Sequence, residues 1–260
     1  MSCACNSQER VKIKLEEVIK ISSETYAFNF SSDRPIEWQE GDSSKVFLEV
    51  AGKENGKKFS YATLPHENII QFTTRIRADR SEFKEAMSSL KCGDAIEISE
   101  PSGQFGLRRN HRPVVLLSNG VGIAAIRTLI KAYEMDQTGV PQILQINVDS
   151  KSAIYKDEFY DLSTQLPSFK SIYTQSRNRF FERLDFYVQD LYSMDNDDPL
   201  FYVVGSDAFV SDTICHLSDM GISSESIITD GHKSGGTCGC SSDAGCGCGA
   251  NLISDFSVMG

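Results

Sequence analysis

Four cysteines near the C-terminus have a spacing that suits metal chemistry. The segment 237–249, TCGCSSDAGCGCG, contains two Cys-x-Cys pairs, Cys238 with Cys240 and Cys246 with Cys248, separated by five residues. Four thiolates suit tetrahedral zinc or an iron–sulfur cluster, and the glycines let the chain fold around an ion. The spacing differs from Cys-x-x-Cys and from plant-type cluster motifs. We predict a metal-binding segment; a redox-active thiol pair and a tail of unliganded thiols stay open.

A glycine pair follows the apolar run VVLL in the segment 118–125, SNGVGIAA. Gly120 and Gly122 let another group approach the backbone closely, and Ile123 begins a helical pattern. The dinucleotide fingerprint has three glycines and opens the first βαβ unit of a chain. Here two alanines replace the third glycine, and more than a hundred residues come first. This loop therefore departs from the fingerprint.

The segment 57–65, KKFSYATLP, combines a cation, two aromatic rings and a hydroxyl. Alternate side chains of a strand point the same way, so Phe59 and Tyr61 share one face while Ser60 lies on the other. An aromatic wall with a nearby hydroxyl and Lys57 suits a flat ligand that carries phosphate. The alternative is a strand whose aromatic side chains only fill a core.

Composition excludes several classes of protein. The 260 residues include 26 basic and 36 acidic side chains, a net charge of −10, which argues against nucleic-acid or anionic-membrane partners. No apolar run approaches the roughly 18 residues of a membrane helix. The N-terminal MSCACNSQER lacks the apolar region of a secretory signal. We expect a cytoplasmic protein without membrane insertion, in which Cys92 and Cys215 are buried thiols.

Residues 9–110 have the pattern of a small antiparallel β-barrel. Six short runs alternate apolar with polar side chains: VKIKLEEVI, TYAFNFSS, SKVFLEV, KFSYAT, IIQFTTRIRA and DAIEISE. Only SEFKEAMSSL is typical of a helix, and Ser81 is its natural N-cap. Six strands with one helix favour a barrel.

Residues 111–232 alternate strands with helices. Five β-like runs (VVLLS, ILQINV, SIYTQ, LFYVVG and SIIT) are separated by four amphipathic stretches. This order predicts a doubly wound α/β domain with a five-stranded parallel sheet. Residues 233–260 are rich in Cys and Gly, lack periodicity and are expected to lie outside both domains.

Four motifs in this order resemble those of the ferredoxin–NADP reductase-like family over roughly residues 9–232. KKFSYATLP resembles the family's flavin motif, and LKCGDAIEISEPSGQFGL resembles its Leu-x-x-Gly-Asp segment ending in Pro-x-Gly-x-Phe. SNGVGIAAIRTLI is similar to its glycine loop, and FYVVGSDAF to its Cys-Gly-Pro-Pro loop. The resemblance implies a flavin-binding barrel followed by an NAD(P)-binding domain.

The resemblance also implies roles for individual residues. Phe59 would lie on the flavin ring, and Ser60 would place its hydroxyl near flavin N5 as the catalytic side chain. Lys57 stands where the family usually has a phosphate-binding arginine, and a lysine cannot reproduce that two-pronged contact. The rest of the cofactor-binding motif is Tyr61, Ala62 and Thr63, and the helix beginning after Ser81 would receive the diphosphate. FAD is favoured over FMN because the family mostly uses it.

The second domain would bind NADPH or NADH as co-substrate. Gly120, Gly122 and Ile123 would meet its diphosphate and nicotinamide, with Gly205 and Asp207 on a neighbouring loop. Ser176 and Arg177 resemble the Ser-Arg pair that NADP-dependent members use for the 2′-phosphate, which favours NADPH. A solvated, charged loop is the alternative interpretation of that pair.

The implied function is that of an NAD(P)H-dependent flavoprotein reductase. Hydride would pass from NAD(P)H to FAD, and electrons then to a ferredoxin-like carrier, an oxygenase component or a small-molecule acceptor. RRNHR (108–112) would either dock an acidic carrier or serve as a solvated linker. The alternatives are an electron-transfer subunit with a cluster in its cysteine tail and a metal-binding regulatory module without turnover. Asp230 and His232 follow the last strand, where the family places its flavin.

Overall fold

A computed structural model describes residues 9–193 and 198–230 of the chain. It contains two sheets, one antiparallel and one parallel, which occupy successive parts of the sequence. Within the described ranges, no helix has both the length and the apolar character needed to cross a membrane.

The first sheet is antiparallel and has six strands in the order β4-β3-β6-β1-β2-β5. Its elements are β1 (Arg10–Lys20), β2 (Thr25–Ser31), β3 (Ser43–Val50), β4 (Lys53–Ser60), β5 (Ile70–Arg75), helix α1 (Glu82–Ser88) and β6 (Ala95–Ser99). A single 3₁₀ turn, Pro65–Glu67, lies between β4 and β5. The six predicted strands and the one helix are confirmed, with Ser81 as the N-cap that accepts from Lys84 N.

The sheet curls into a barrel because its interior face is apolar and its two edges approach each other. β4 and β5 are the edge strands, and the Ala62 amide just beyond β4 donates to the Gln71 carbonyl at 2.9 Å. Burying the large side chains of the interior, Phe28, Phe30, Phe72 and Phe83 among them, supplies the driving force.

The second sheet is parallel, with five strands in the order β11-β10-β7-β8-β9. The elements are β7 (Val114–Asn119), α2 (Ile123–Met135), β8 (Ile143–Val148), α3 (Lys156–Gln165), β9 (Phe169–Thr174), α4 (Arg177–Ser193), β10 (Leu200–Val204), α5 (Asp207–Asp219) and β11 (Ile227–Thr229), with short 3₁₀ turns at Gly120–Gly122 and Ser224–Ser226. Separate apolar clusters cover its two faces. The predicted doubly wound domain is confirmed.

Arg127 on α2 ties the two domains together. Its guanidinium donates to the Ala62 carbonyl at 2.7 Å and to both oxygens of Glu67 at 2.8 and 3.1 Å, all in the barrel domain. Nε donates to Glu158 of α3 at 2.9 Å. The Arg127 side chain is only 12% exposed, and Glu67 and Glu158 are 20% and 31% exposed, so these charges pair in a partly buried interface.

Some local expectations were wrong. Cys92 is exposed and Cys215 is half-buried, so neither is a core thiol.

The basic segment 108–112 is partly structural, because Arg109 donates to the carbonyls of Asp136 and Thr138, and Arg112 donates to that of Pro199. Because the guanidiniums of Arg109 and Arg112 donate to backbone carbonyls within the chain, they are less available to a partner protein.

Candidate active site

A cleft of about 640 Å³ lies between the barrel and the second domain. The barrel side is formed by β4, β5 and α1, and the opposite side by the loops after β7 and β10. Seven of the predicted site residues line it: Lys57, Phe59, Ser60, Ser81, Gly120, Gly122 and Gly205. Residues far apart in the sequence thus meet in one space.

Phe59 and Ser60 both reach the cleft, although neighbours on a regular strand point to opposite faces. β4 ends at Ser60, the last residue of its ladder with β3, and the chain bends two residues later, at Ala62 and Thr63. Phe59 is 8% exposed and packs on Phe72 and Phe83, with ring centroids 5.8 and 6.0 Å away. Most of the Phe59 ring therefore belongs to the barrel core, and its remaining edge borders the cleft.

The Ser60 hydroxyl is held by a carboxylate from the other domain. Ser60 Oγ donates to Asp230 Oδ2 at 2.9 Å, and Lys58 Nζ donates to Asp230 Oδ1 at 2.5 Å. Asp230 directly follows β11 and its side chain is 12% exposed. The last strand of the second domain thereby fixes the orientation of a barrel hydroxyl.

Tyr61, Ala62 and Thr63 lie inside the barrel wall, outside the residues that line the cleft. The Tyr61 ring stacks on Trp38 at 4.9 Å, and its hydroxyl shares a 2.7 Å hydrogen bond with Ser44. Burial raises the pKa of the Tyr61 phenol, which keeps it neutral. These three residues close the barrel behind Phe59 and Ser60.

The glycines of the loops after β7 and β10 serve different structural purposes. Gly120 adopts a φ of +57°, a conformation that favours glycine. A β-carbon on Gly122 would lie 2.9 Å from the Val204 carbonyl oxygen, and one on Gly205 would lie 2.9 Å from Asn119 Cβ. Gly122 and Gly205 thus allow the β7 and β10 loops to pack against each other. Ile123 is fully buried and anchors α2 beneath the loop.

An ion pair between the domains forms part of the cleft wall. Arg75, at the end of β5, donates to Asp149 Oδ2 at 2.5 Å, and Asp149 also accepts from Ser152 Oγ at 2.9 Å. The guanidinium lies 3.6 Å from the position that a Gly120 β-carbon would take. The barrel thus places a cation directly against the glycine loop. This ion pair was not predicted from the sequence. The feature that could have indicated it is a charged residue at the end of each of two strands, Arg75 at β5 and Asp149 at β8.

Lys84 is a second cleft residue that was not predicted from the sequence. Its ammonium donates to the Thr74 hydroxyl and lies 4.9 Å from the centre of the Phe59 ring. Burial lowers the pKa of Lys84 to about 8. The signal in the sequence was a lysine next to Phe83 on a helix that turns Phe83 and Met87 into the barrel.

Ser176 and Arg177 lie at the start of α4, apart from the cleft-lining residues. Ser176 Oγ accepts from the Arg179 amide at 3.4 Å, as an N-cap does. Arg177 pairs with Asp212 of α5 and lies over the Phe209 ring. Asp207 begins α5, beside the cleft-lining Ser206.

The predicted metal site lies outside the described residues. This holds for all four of its cysteines, Cys238, Cys240, Cys246 and Cys248, and for His232. Within the described part of the chain, no group of three or more His, Cys, Asp or Glu side chains is placed to hold a metal ion.

Comparison with solved structures decides the fold. The ferredoxin NADP⁺ reductase from Neisseria gonorrhoeae, solved with bound FAD and NADP, superposes with a TM-score of 0.73 at 17% identity, over 85% of this chain and 97% of that one. This chain has the ferredoxin–NADP reductase-like fold. No protein-family profile matches the chain.

Curated relatives with related sequences are longer than the region they share with this chain. The toluate 1,2-dioxygenase electron transfer component of Pseudomonas putida is 24% identical over 131 residues, which are 50% of this chain and 39% of that protein. The 2-halobenzoate 1,2-dioxygenase electron transfer component of Burkholderia cepacia is 22% identical over 180 residues, 66% of this chain and 52% of that protein. The match thus spans about half of each relative or less.

Proposed function

We propose that this chain is an NAD(P)H-dependent flavoprotein reductase that passes hydride from NAD(P)H to FAD and then electrons to an acceptor. One observation carries the proposal: Ser60 of the barrel and the glycine loop of the second domain line the same cleft. A reductase must bring two cofactors together from two binding domains, and this cleft provides the meeting place.

The residues of the cleft fit a flavin nucleotide. Its volume of about 640 Å³ lies within the range of cofactor sites, roughly 300–1,000 Å³. Phe59 offers an apolar edge, Ser60 a hydroxyl, and Lys57 and Lys84 positive charge for phosphate. When bound, the flavin accepts hydride from NAD(P)H and releases electrons to an acceptor.

The chain itself orients groups and excludes water. Asp230 fixes the direction of the Ser60 hydroxyl proton, which leaves the lone pairs of Ser60 Oγ as acceptors toward the cleft. The Arg75–Asp149 pair and the Arg127–Glu67 pair hold the two domains at a set separation. A fixed separation aligns the two bound cofactors without a strong acid or base.

We infer that the preference between NADPH and NADH is set at the N-terminus of α4. There Ser176 and Arg177 bind the 2′-phosphate, so NADPH is preferred over NADH. Arg177 is 41% exposed, so a ligand phosphate has access to its guanidinium. Asp212 already pairs with that guanidinium and must be displaced or shared.

The acceptor is a protein of the ferredoxin or oxygenase-component class, or a small molecule. The name of the Pseudomonas putida relative, an electron transfer component of a dioxygenase, supports this class. We place the protein in the cytoplasm, where NADPH is available and where Cys92 and Cys215 would stay reduced.

Anaerobic reduction of the reconstituted protein tests the function. The purified full-length chain is incubated with FAD, freed of excess cofactor and mixed with NADPH or NADH while the absorption of oxidised flavin is followed. We expect stoichiometric FAD, rapid bleaching by NADPH and slower bleaching by NADH. Failure to retain FAD or FMN, or retention without bleaching by either coenzyme, would refute the proposal.

A further inference from the structure

The loop that follows β8 contacts strand β5 of the barrel at both ends of the loop. Its first residue, Asp149, pairs with Arg75. Its last residue, Tyr155, shares a 2.9 Å hydrogen bond between its phenol oxygen and Thr73 Oγ1, and the same hydroxyl donates to Gln71 Oε1 at 3.4 Å. The three β5 residues alternate along the strand, so their side chains point the same way. One loop of the second domain therefore contacts one face of a barrel strand along most of the length of that strand.

Tyr155 adopts a backbone conformation that is unusual for an aromatic residue. Its φ and ψ are +59° and +15°, in the left-handed region that favours glycine. The contacts that hold it there are those of its phenol with β5 and of its ring with Phe159, whose centroid lies 6.0 Å away. Such a conformation persists only where the surroundings fix it, and it concentrates at functional sites. A strained residue whose side chain joins two domains points to a role in positioning them.

Tyr155 and Arg127 together cover the place where the barrel closes. We call the contact between Ala62, just beyond β4, and Gln71 of β5 the barrel seam. Arg127 donates to the Ala62 carbonyl at 2.7 Å, and its guanidinium carbon lies 5.5 Å from the centre of the Tyr155 ring. A cation at this distance is attracted to the face of the ring. Both strands of the barrel seam are thus held by side chains of the second domain.

The barrel seam borders the cleft. Ser60 lies two residues before Ala62, and Ser60 and Thr73 both line the cleft. Thr73 is only 7% exposed, so water has little access to its hydroxyl. On the opposite wall, α2 begins directly after the glycine loop and carries Arg127 in its second turn. A shift of the barrel seam therefore changes the separation between Ser60 and the glycine loop.

We propose that Tyr155 is a positioning residue for hydride transfer, because its hydrogen bond with Thr73 holds the barrel wall of the cleft at a fixed distance from the glycine loop. The inference rests on the proposed reductase function and adds a residue that lies outside the cleft lining. Burial raises the pKa of Tyr155 to about 12, so its phenol stays neutral and remains a hydrogen-bond donor. A misplacement of about 1 Å between reacting groups lowers a rate on the order of a hundredfold.

The test removes the two hydroxyls singly and together in the full-length, flavin-loaded protein. Tyr155→Phe, Thr73→Val and the double variant are mixed anaerobically with saturating NADPH or NADH, whichever reduces the wild type faster, and stopped flow measures the limiting rate constant of flavin reduction. We expect all three to be slowed about tenfold, and Tyr155→Phe to bind FAD and coenzyme within about twofold of the wild type. The double variant should be no slower than the single ones, because all three lose the same contact. Tyr160→Phe, an exposed tyrosine on α3, is the matched control and should reduce flavin at the normal rate.

The melting temperature separates positioning from folding. Each single variant leaves a buried hydroxyl without its 2.9 Å partner and should melt below the wild type, whereas the double variant removes both hydroxyls and should regain most of that loss. Slow reduction should persist in the double variant. Recovery of both the melting temperature and the rate would show that the contact is only structural and would overturn the proposal.

Coenzyme deuterated at C4 gives an independent readout. If misalignment slows the hydride step, the primary isotope effect on the limiting rate constant should be at least as large in Tyr155→Phe as in the wild type. An isotope effect near unity in Tyr155→Phe, a normal rate, or a loss of flavin affinity that accounts for the slow rate would each overturn the positioning role while the reductase function stands. If neither coenzyme reduces the wild type, the proposed function fails and this inference fails with it.

Discussion

The Ser60 hydroxyl of the barrel donates a 2.9 Å hydrogen bond to the carboxylate of Asp230, the residue that follows the last strand of the second domain. The two residues are 170 positions apart in the sequence. This contact, together with that of Lys58 to the same carboxylate, makes the orientation of a cleft hydroxyl depend on how the two domains are joined.

Ser60→Ala should slow reduction of the bound flavin by NAD(P)H more than it weakens flavin binding. The variant removes a hydroxyl at the cleft without changing the phosphate-binding cations, and Lys57→Ala should have the opposite effect. Stopped-flow kinetics measures the rate of flavin reduction in the two variants, and titration measures their affinity for flavin. Ser88→Ala, an exposed serine on α1, is the control. A normal reduction rate in Ser60→Ala would contradict a catalytic role.

Replacing Arg177 should raise KM for NADPH at least about tenfold and leave KM for NADH nearly unchanged. A lost charge-assisted contact costs about 1.5–3 kcal/mol, and only NADPH carries the 2′-phosphate. Because Asp212 competes for the same guanidinium, Asp212→Asn should lower KM for NADPH. Steady-state kinetics with both coenzymes check this, and equal effects on NADH and NADPH would show that Arg177 does not read the phosphate.

Arg127→Met should destabilise the folded protein by about 3–5 kcal/mol, because it leaves Glu67 and Glu158 without their cation in a partly buried interface. Denaturant unfolding at neutral pH measures the loss. Lys131→Met, on the same helix but more exposed, is the control and should lose far less. A loss below about 1 kcal/mol, the value of a surface ion pair, would show that the pair does not hold the domains together.

The same pair predicts a loss of stability in acid. Burial tends to raise the pKa of Glu67, but hydrogen bonds from Arg127 and the Leu64 amide outweigh it and lower that pKa below its ordinary 4.5. The unfolded chain therefore binds a proton first as pH falls. The contribution of the Glu67 carboxylate to the free energy of unfolding is therefore complete above pH 4.5, and it is lost as pH falls through the pKa of Glu67 in the folded protein. Glu67→Gln should flatten the pH dependence of the free energy of unfolding below pH 4.5, as measured by denaturant unfolding at a series of pH values. An unchanged slope would show that other carboxylates cause this pH dependence.

Truncation after Lys233 should remove bound metal and leave electron transfer from NAD(P)H to flavin intact. The four cysteines of 237–249 are the predicted ligands, and the proposed transfer from NAD(P)H to flavin uses none of them. Elemental analysis of anaerobically purified full-length and truncated protein measures the difference. Absence of metal above background in the full-length chain would end the hypothesis.

The order of elements was determined by the sequence alone. Period-2 runs before residue 112 and alternating strands and helices after it predict a barrel and a doubly wound domain, because apolar periodicity reports which face each element buries. Ser81 as an N-cap was predictable for the same local reason. The end of β4 at Ser60 was not, since a strand stops where its partner stops pairing and not where its own pattern ends.

The composition of the cleft was decided by the tertiary structure. Sequence spacing alone does not place Asp230 on Ser60, Arg75 against Gly120 or Lys84 over Phe59, because each pair joins elements whose separation depends on how the sheets curl and dock. The motif residues Tyr61 to Thr63 were drawn into the barrel wall by the same closure. Local periodicity thus determines which elements form, whereas packing between domains determines which of their charges remain unpaired at the site.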